Sequence, residues 1–110
     1  MKGLYDPGAL NWRMRLEQPV ETADGFGALQ TAWTEIGDVW AAMKPVDARF
    51  RQIADQTSEV QSHAITIRFR DDVSSGWRMI LNQRVFEIDV VFDPDERARY
   101  LICMTREVGR

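Results

Sequence analysis

Cysteine and histidine each occur once in these 110 residues, at Cys103 and His63. A single thiol closes no internal disulfide, which excludes a disulfide-stapled secreted scaffold and makes a reducing compartment the expected setting. One thiol and one imidazole also fall short of the four ligands typical of a structural zinc site. The sequence holds no Gly-rich phosphate loop, no Gly-x-Ser-x-Gly elbow and no Cys-x-x-Cys pair. No stretch approaches the roughly 20 apolar residues that cross a bilayer. The opening Met1-Lys2-Gly3-Leu4-Tyr5-Asp6-Pro7-Gly8 lacks the apolar run of a signal peptide, so a soluble protein without membrane contact is expected. Positive charge is scarce too. The net charge is −3, and the 14 basic residues are spread along the chain rather than gathered into a footprint for nucleic acid.

Hydrophobic residues make up 45% and charged residues 28%, enough apolar material for a folded core, and the length suits one domain over residues 1–110. Four tryptophans, five phenylalanines and two tyrosines exceed what a small core needs, which leaves some for contacts between subunits. Twelve of the 14 basic residues are arginine, whose planar fork pairs with carboxylates at interfaces.

Gly3, Pro7 and Gly8 break regular structure, so residues 1–11 read as an N-terminal arm. From Trp12 the pattern turns to a period of two: Trp12, Met14 and Leu16 alternate with Arg13, Arg15 and Glu17, a strand with one apolar face. Pro19 ends that strand or marks an edge position. Thr22 to Gly27 is a long turn, and Thr31 to Met43 resumes strand character through Trp33, Ile36, Val39 and Trp40. The three-residue step from Ile36 to Val39 puts a bulge at Gly37.

Pro45 closes the second strand, and over Val46 to Gln61 the alternation fails, giving a long polar loop with some helical tendency. Strand character returns at Ser62 to Arg70, where Ile65, Ile67 and Phe69 share a face. Trp77 to Leu81 follows, then an Asn82-Gln83 turn, then Val85 to Phe92 with Phe86, Ile88, Val90 and Phe92 aligned. Asp93 to Glu96 turns the chain into a last strand, Arg99 to Glu107, with Tyr100, Ile102 and Met104 on one side. Six short strands with turn chemistry between them predict an all-β protein, a small antiparallel barrel whose closure removes exposed edges.

The residues able to carry chemistry read as structural. His63 lies in phase with Ile65 and Ile67, with no nucleophile or orienting acid signalled nearby. Cys103 sits between Ile102 and Met104, where a thiol behaves as a small core residue. Asp93, Asp95 and Glu96 lack the ligand spacing of a calcium loop, and Pro94 favours a turn. Glu87 and Asp89 share a strand face without a sign of a pocket. No catalytic residue, cofactor or metal is expected.

The blocks Val39-Trp40-Ala41-Ala42-Met43-Lys44-Pro45, Ser62 to Arg70, Arg84-Val85-Phe86-Glu87-Ile88, Asp93 to Arg97 and Tyr100-Leu101-Ile102, in this order after the turn at Gly25, resemble the phage head-tail adaptor family. These are the head-closure, connector or stopper proteins of tailed phages, prophages and gene transfer agents. Gln83 departs from the pattern, because the family often has glycine in that turn. The resemblance implies a non-enzymatic subunit of a homo-oligomeric ring in the neck of the particle, made in the host bacterial cytoplasm. Its partners would be portal and adaptor proteins above, tail terminator or tail tube proteins below, and double-stranded DNA passing through the lumen without sequence specificity.

The resemblance also implies that the 46–61 loop points into the channel and helps retain DNA. On this chain that assigns the gate to Asp47, Arg49, Phe50, Arg51, Gln52, Asp55, Gln56 and Glu59. Residues 1–11 and those near Arg110 are expected to order on neighbouring subunits. The competing reading is a stand-alone barrel that stacks single-stranded nucleic acid on Trp33, Trp40, Trp77 and Phe50, against which the net acidity counts.

Overall fold

A computed structural model describes residues 9–46 and 62–108. Six strands follow one another: β1 (Trp12–Ala23), β2 (Leu29–Pro45), β3 (Ser62–Arg68), β4 (Arg78–Leu81), β5 (Arg84–Phe92) and β6 (Tyr100–Val108). All neighbours are antiparallel, and the hydrogen-bonded order β1-β2-β3-β6-β5-β4 returns to β1 as a closed barrel. Closure is narrow, because β4 meets β1 only along Arg15–Glu17.

Alternation puts one residue in two inside. Met14, Leu16, Ala41, Ile65, Ile67, Met79, Phe86 and Cys103 are fully buried and pack as one core with Ile88, Leu101 and Trp77. Burying a large apolar side chain is worth about 1.5–3 kcal/mol, so these residues carry most of the stability.

Two bulges adjust the alternation. Leu16 pairs with Gly37 but Glu17 pairs with Glu35, so Ile36 is the extra residue beside Gly37, at the bulge that the sequence predicts. In β5, Ile88 pairs with Thr105 and Val90 with Met104, leaving Asp89 unopposed. That second bulge corrects the expected alignment of Phe86, Ile88, Val90 and Phe92. Phe86 and Ile88 point inward, Val91 packs on the core, and Val90 and Phe92 are exposed on the outside.

Other expectations need adjustment. Pro19 does not end β1: it pairs with Trp33, beyond the stretch that β4 covers, so it occupies the edge position where a missing N–H costs nothing. In the Asn82-Gln83 turn the positive φ falls on Asn82 (57°), a residue that tolerates it, so Gln83 fits without glycine's freedom. At the end of the arm, Leu10 is buried against Ala42 and Tyr100, docked on the chain's own barrel rather than waiting for a partner.

β1 and β2 run on past the barrel. β3 takes up β2 only along Ala41–Pro45 and β4 takes up β1 only along Arg15–Glu17, so residues 18–23 and 29–34 have only each other as strand partners and form a projecting two-stranded ribbon. Its tip is rigid. Asp24 Oδ1 accepts hydrogen bonds from the Phe26 N–H (2.7 Å) and the Ala28 N–H (3.2 Å), and Asp24 N–H donates to the Ala28 carbonyl (3.0 Å).

Candidate functional site

The single histidine and the single thiol both lie inside. His63 is buried, edge-on to Phe86 with ring centroids 5.1 Å apart, and its Nδ1 has no hydrogen-bond partner among the described residues. Burial first, then the nearby Arg84 guanidinium, hold this imidazole below its ordinary value, against the opposing pull of Glu107. Cys103 is fully buried and desolvation pushes its thiol up to about 12, a poor nucleophile.

The carboxylates suggested by the sequence are committed elsewhere. Asp93 Oδ1 accepts the N–H groups of Asp95 (3.3 Å) and Glu96 (2.9 Å), and its Oδ2 accepts that of Ala98 (2.8 Å). Asp95 pairs with Arg99, whose hydrogen bond holds its carboxyl below the usual range. This cluster organises the β5–β6 loop, including the left-handed Glu96 and Ala98 (φ 59° and 55°). Glu87 and Asp89 share one guanidinium: Arg106 Nε lies 3.0 Å from both Asp89 oxygens, and its Nη2 lies 3.3 Å from Glu87. Two anions bridged by one cation are an ion-pair network.

The aromatic platform of the nucleic-acid reading is not assembled. Trp77 is buried in the core, and Trp33 is capped by the Arg78 guanidinium, 4.0 Å from its ring centroid. Only Trp40 among these three stands open, 55% exposed on the outside of β2.

The expected gate residues Asp47, Arg49, Phe50, Arg51, Gln52, Asp55, Gln56 and Glu59 lie outside the described residues. The roots of their loop are described: Val46 N–H donates to the Ser62 carbonyl at 2.9 Å, and Pro45 pairs with His63. Loop and ribbon thus leave opposite ends of β2.

Sequence reasoning misses two surfaces. One is the ribbon tip, where Phe26 is 93% exposed and Leu29 is 68% exposed. Between Gln18 and Trp40 there is no basic residue, only Glu21, Asp24, Glu35 and Asp38, a readable signal of an unusual segment. The other is the barrel's outer wall. Phe92, Ile102, Thr66 and Ala42 form one row across β5, β6, β3 and β2, and Val90, Met104, Ala64 and Lys44 form the next. A small barrel in water normally alternates polar residues there, yet only Thr66 and Lys44 in these rows are polar; Thr66, Ala42 and Ile102 are buried, and Val90 and Phe92 are the exposed apolar residues of the wall.

The described residues form a closed six-stranded barrel that carries a projecting, partly apolar ribbon. The chain matches the phage head completion protein family over residues 5–108 and belongs to that family, a structural component of the virion. A chain of the virion of a native gene transfer agent particle is 25% identical, with a TM-score of 0.67 over 91% of this chain and 96% of that one. A protein of Shigella flexneri 2a, known from its solution structure, shares the fold with a TM-score of 0.70 at 23% identity, over 94% and 97% of the two chains. No curated protein matches. Among the described residues no helix is long and apolar enough to cross a membrane.

Proposed function

We propose that this protein acts as one domain and closes the neck of a phage or phage-like particle as a subunit of a homo-oligomeric ring beneath the portal and its adaptor. In this role it helps retain packaged double-stranded DNA and offers the surface on which tail proteins dock. The observation that carries this reading is the family match over residues 5–108, and the likeness to a chain of a gene transfer agent virion supports it.

The gate is the 46–61 loop, with Asp47, Arg49, Phe50, Arg51, Gln52, Asp55, Gln56 and Glu59 facing the lumen. Its two arginines are offset by Asp47, Asp55 and Glu59, so it obstructs DNA sterically without a dense positive surface that would hold phosphates and slow passage. Because its roots are tied by the Val46–Ser62 hydrogen bond, the loop can be shortened without disturbing β2 or β3. Replacing residues 48–59 by a short Gly-Ser turn should leave the protein in the particle and make filled heads leak DNA. Unchanged retention of DNA in such particles overturns the gate assignment.

A further inference from the structure

The molecule displays a knob and a seat in different places, and their charges are complementary. The knob is the ribbon tip, Phe26 and Leu29, held on a turn that Asp24 fixes, so presenting it costs little conformational entropy. The ribbon around it is acidic, carrying Glu21 and Asp24 and no basic residue, and among the described residues Glu21 forms no ion pair.

The seat is the open side of the outer wall. Leu10 covers Ala42 and Tyr100 at one side of it, while Val90 (51% exposed) and Phe92 (43%) stay bare. The β5 bulge opens a cleft of about 400 Å³ beside Val90, floored by Val73 and Val91. Ser74, Ser75 and Asp89, which pairs with Arg106, also line this cleft, and cations stand farther along the wall. Lys44 lies in the Val90–Met104 row and Arg68 pairs with Tyr100 at the end of the wall. Neither cation forms an ion pair among the described residues, and the same holds for Arg97 in the β5–β6 loop.

We propose that the ribbon tip of one copy docks on the β5–β6 outer wall of the next, with Phe26 seated against Val90 and Phe92 and the ribbon carboxylates facing Arg68 and Lys44. Knob and seat are different patches of one chain, so the contact is head-to-tail and propagates from copy to copy, the geometry of a ring when the rotation closes. An aromatic anchor in an apolar seat with a charged rim is the usual pattern of an interface hot spot. The inference rests on the ring reading above and names the surfaces that build the ring.

The test places a photo-crosslinking benzoylphenylalanine at position 26 in particles assembled with the full chain. The expected product is a ladder of self-crosslinked protein whose joined peptide contains Val90 to Phe92 or Ile102 to Met104. A crosslink to a different virion protein, a self-crosslink mapping elsewhere, or no crosslink from protein present in the particle overturns the proposal and leaves the neck reading standing. Absence of the unmodified chain from particles overturns both. In parallel, Phe26→Asp should leave thermal unfolding unchanged while lowering incorporation into particles about tenfold or more. Incorporation lost in E21R should return in the double variant E21R/R68E; failure of that rescue, with both variants folded, counts against the charged rim.

Discussion

Glu17 and Arg78 meet at 2.7 Å where the ribbon leaves the barrel. Arg15 takes the other carboxylate oxygen at 2.9 Å, and the same Arg78 guanidinium lies 4.0 Å from the ring centroid of Trp33 on the far strand of the ribbon. The pair falls beside the first bulge, at the last residue of β1 that β4 reaches. It therefore fixes how the ribbon is mounted. Replacing Glu17 with Gln keeps the shape but leaves two guanidiniums at a nearly buried position. The expected loss is about 1–3 kcal/mol, seen as a lower urea midpoint with an unchanged slope.

Phe86 and Phe26 make opposite predictions. Phe86 is fully buried, with His63 against its edge and the Arg84 guanidinium 4.9 Å from its centroid, so Phe86→Ala should cost about 3–5 kcal/mol. Phe26→Ala removes a ring that is almost wholly exposed in the single chain and should change stability by no more than about 0.5 kcal/mol. Calorimetry of both variants checks the contrast, and a large loss for Phe26 would mean that the tip packs on its own barrel.

Most of the barrel is legible in the sequence because its alternation is strong where side chains are sorted between core and water. Ile65 and Ile67 against Thr66 and Arg68 are enough to place β3. The misreadings arise where alternation loses that meaning. One residue inserted at Asp89 moves Val90 and Phe92 to the outside, and nothing in the apolar run Val90-Val91-Phe92 marks the slip. Pro19 leaves a choice between a stop and an edge position, and the edge is what the pairing shows, because which neighbours β1 has is a long-range fact. The ribbon escaped notice for the same reason, since Thr31, Ala32 and Thr34 suit a strand whether or not a barrel surrounds it. The gate residues could be named only through the family resemblance, since a polar loop carries no periodicity.

His63 should make stability fall on mild acidification. Its folded value lies below the ordinary 6.5, so the unfolded chain binds more protons than the folded one as pH drops through that value, and stability declines. The stabilised carboxyls of Asp72 and Asp95, lowered from 3.8 by their arginine partners, protonate only at still lower pH, which keeps the two effects apart. Denaturation midpoints of the wild type between pH 7 and pH 5 should fall, and His63→Gln should flatten that slope from a lower starting stability. An equally steep slope in the variant would contradict the assignment.

Ala98 offers a stabilising change. Its φ of 55° is a left-handed conformation that a side chain disfavours by about 1–2 kcal/mol, and it is exposed with its N–H held by Asp93. Ala98→Gly relieves that conformation and loses part of the gain to the freer unfolded chain, leaving about 0.5–1 kcal/mol of added stability. A rise of a few degrees in melting temperature is expected; a fall would mean that the loop holds a different backbone.

In the role proposed for it, this protein completes the head so that it stays closed around its DNA. The most direct measurement compares particles made with and without the protein for nuclease-protected DNA and attached tails. Without it, heads should accumulate tailless and lose protection of their DNA, and supplying the chain should restore both. Tailed particles with fully protected DNA in its absence would contradict the account.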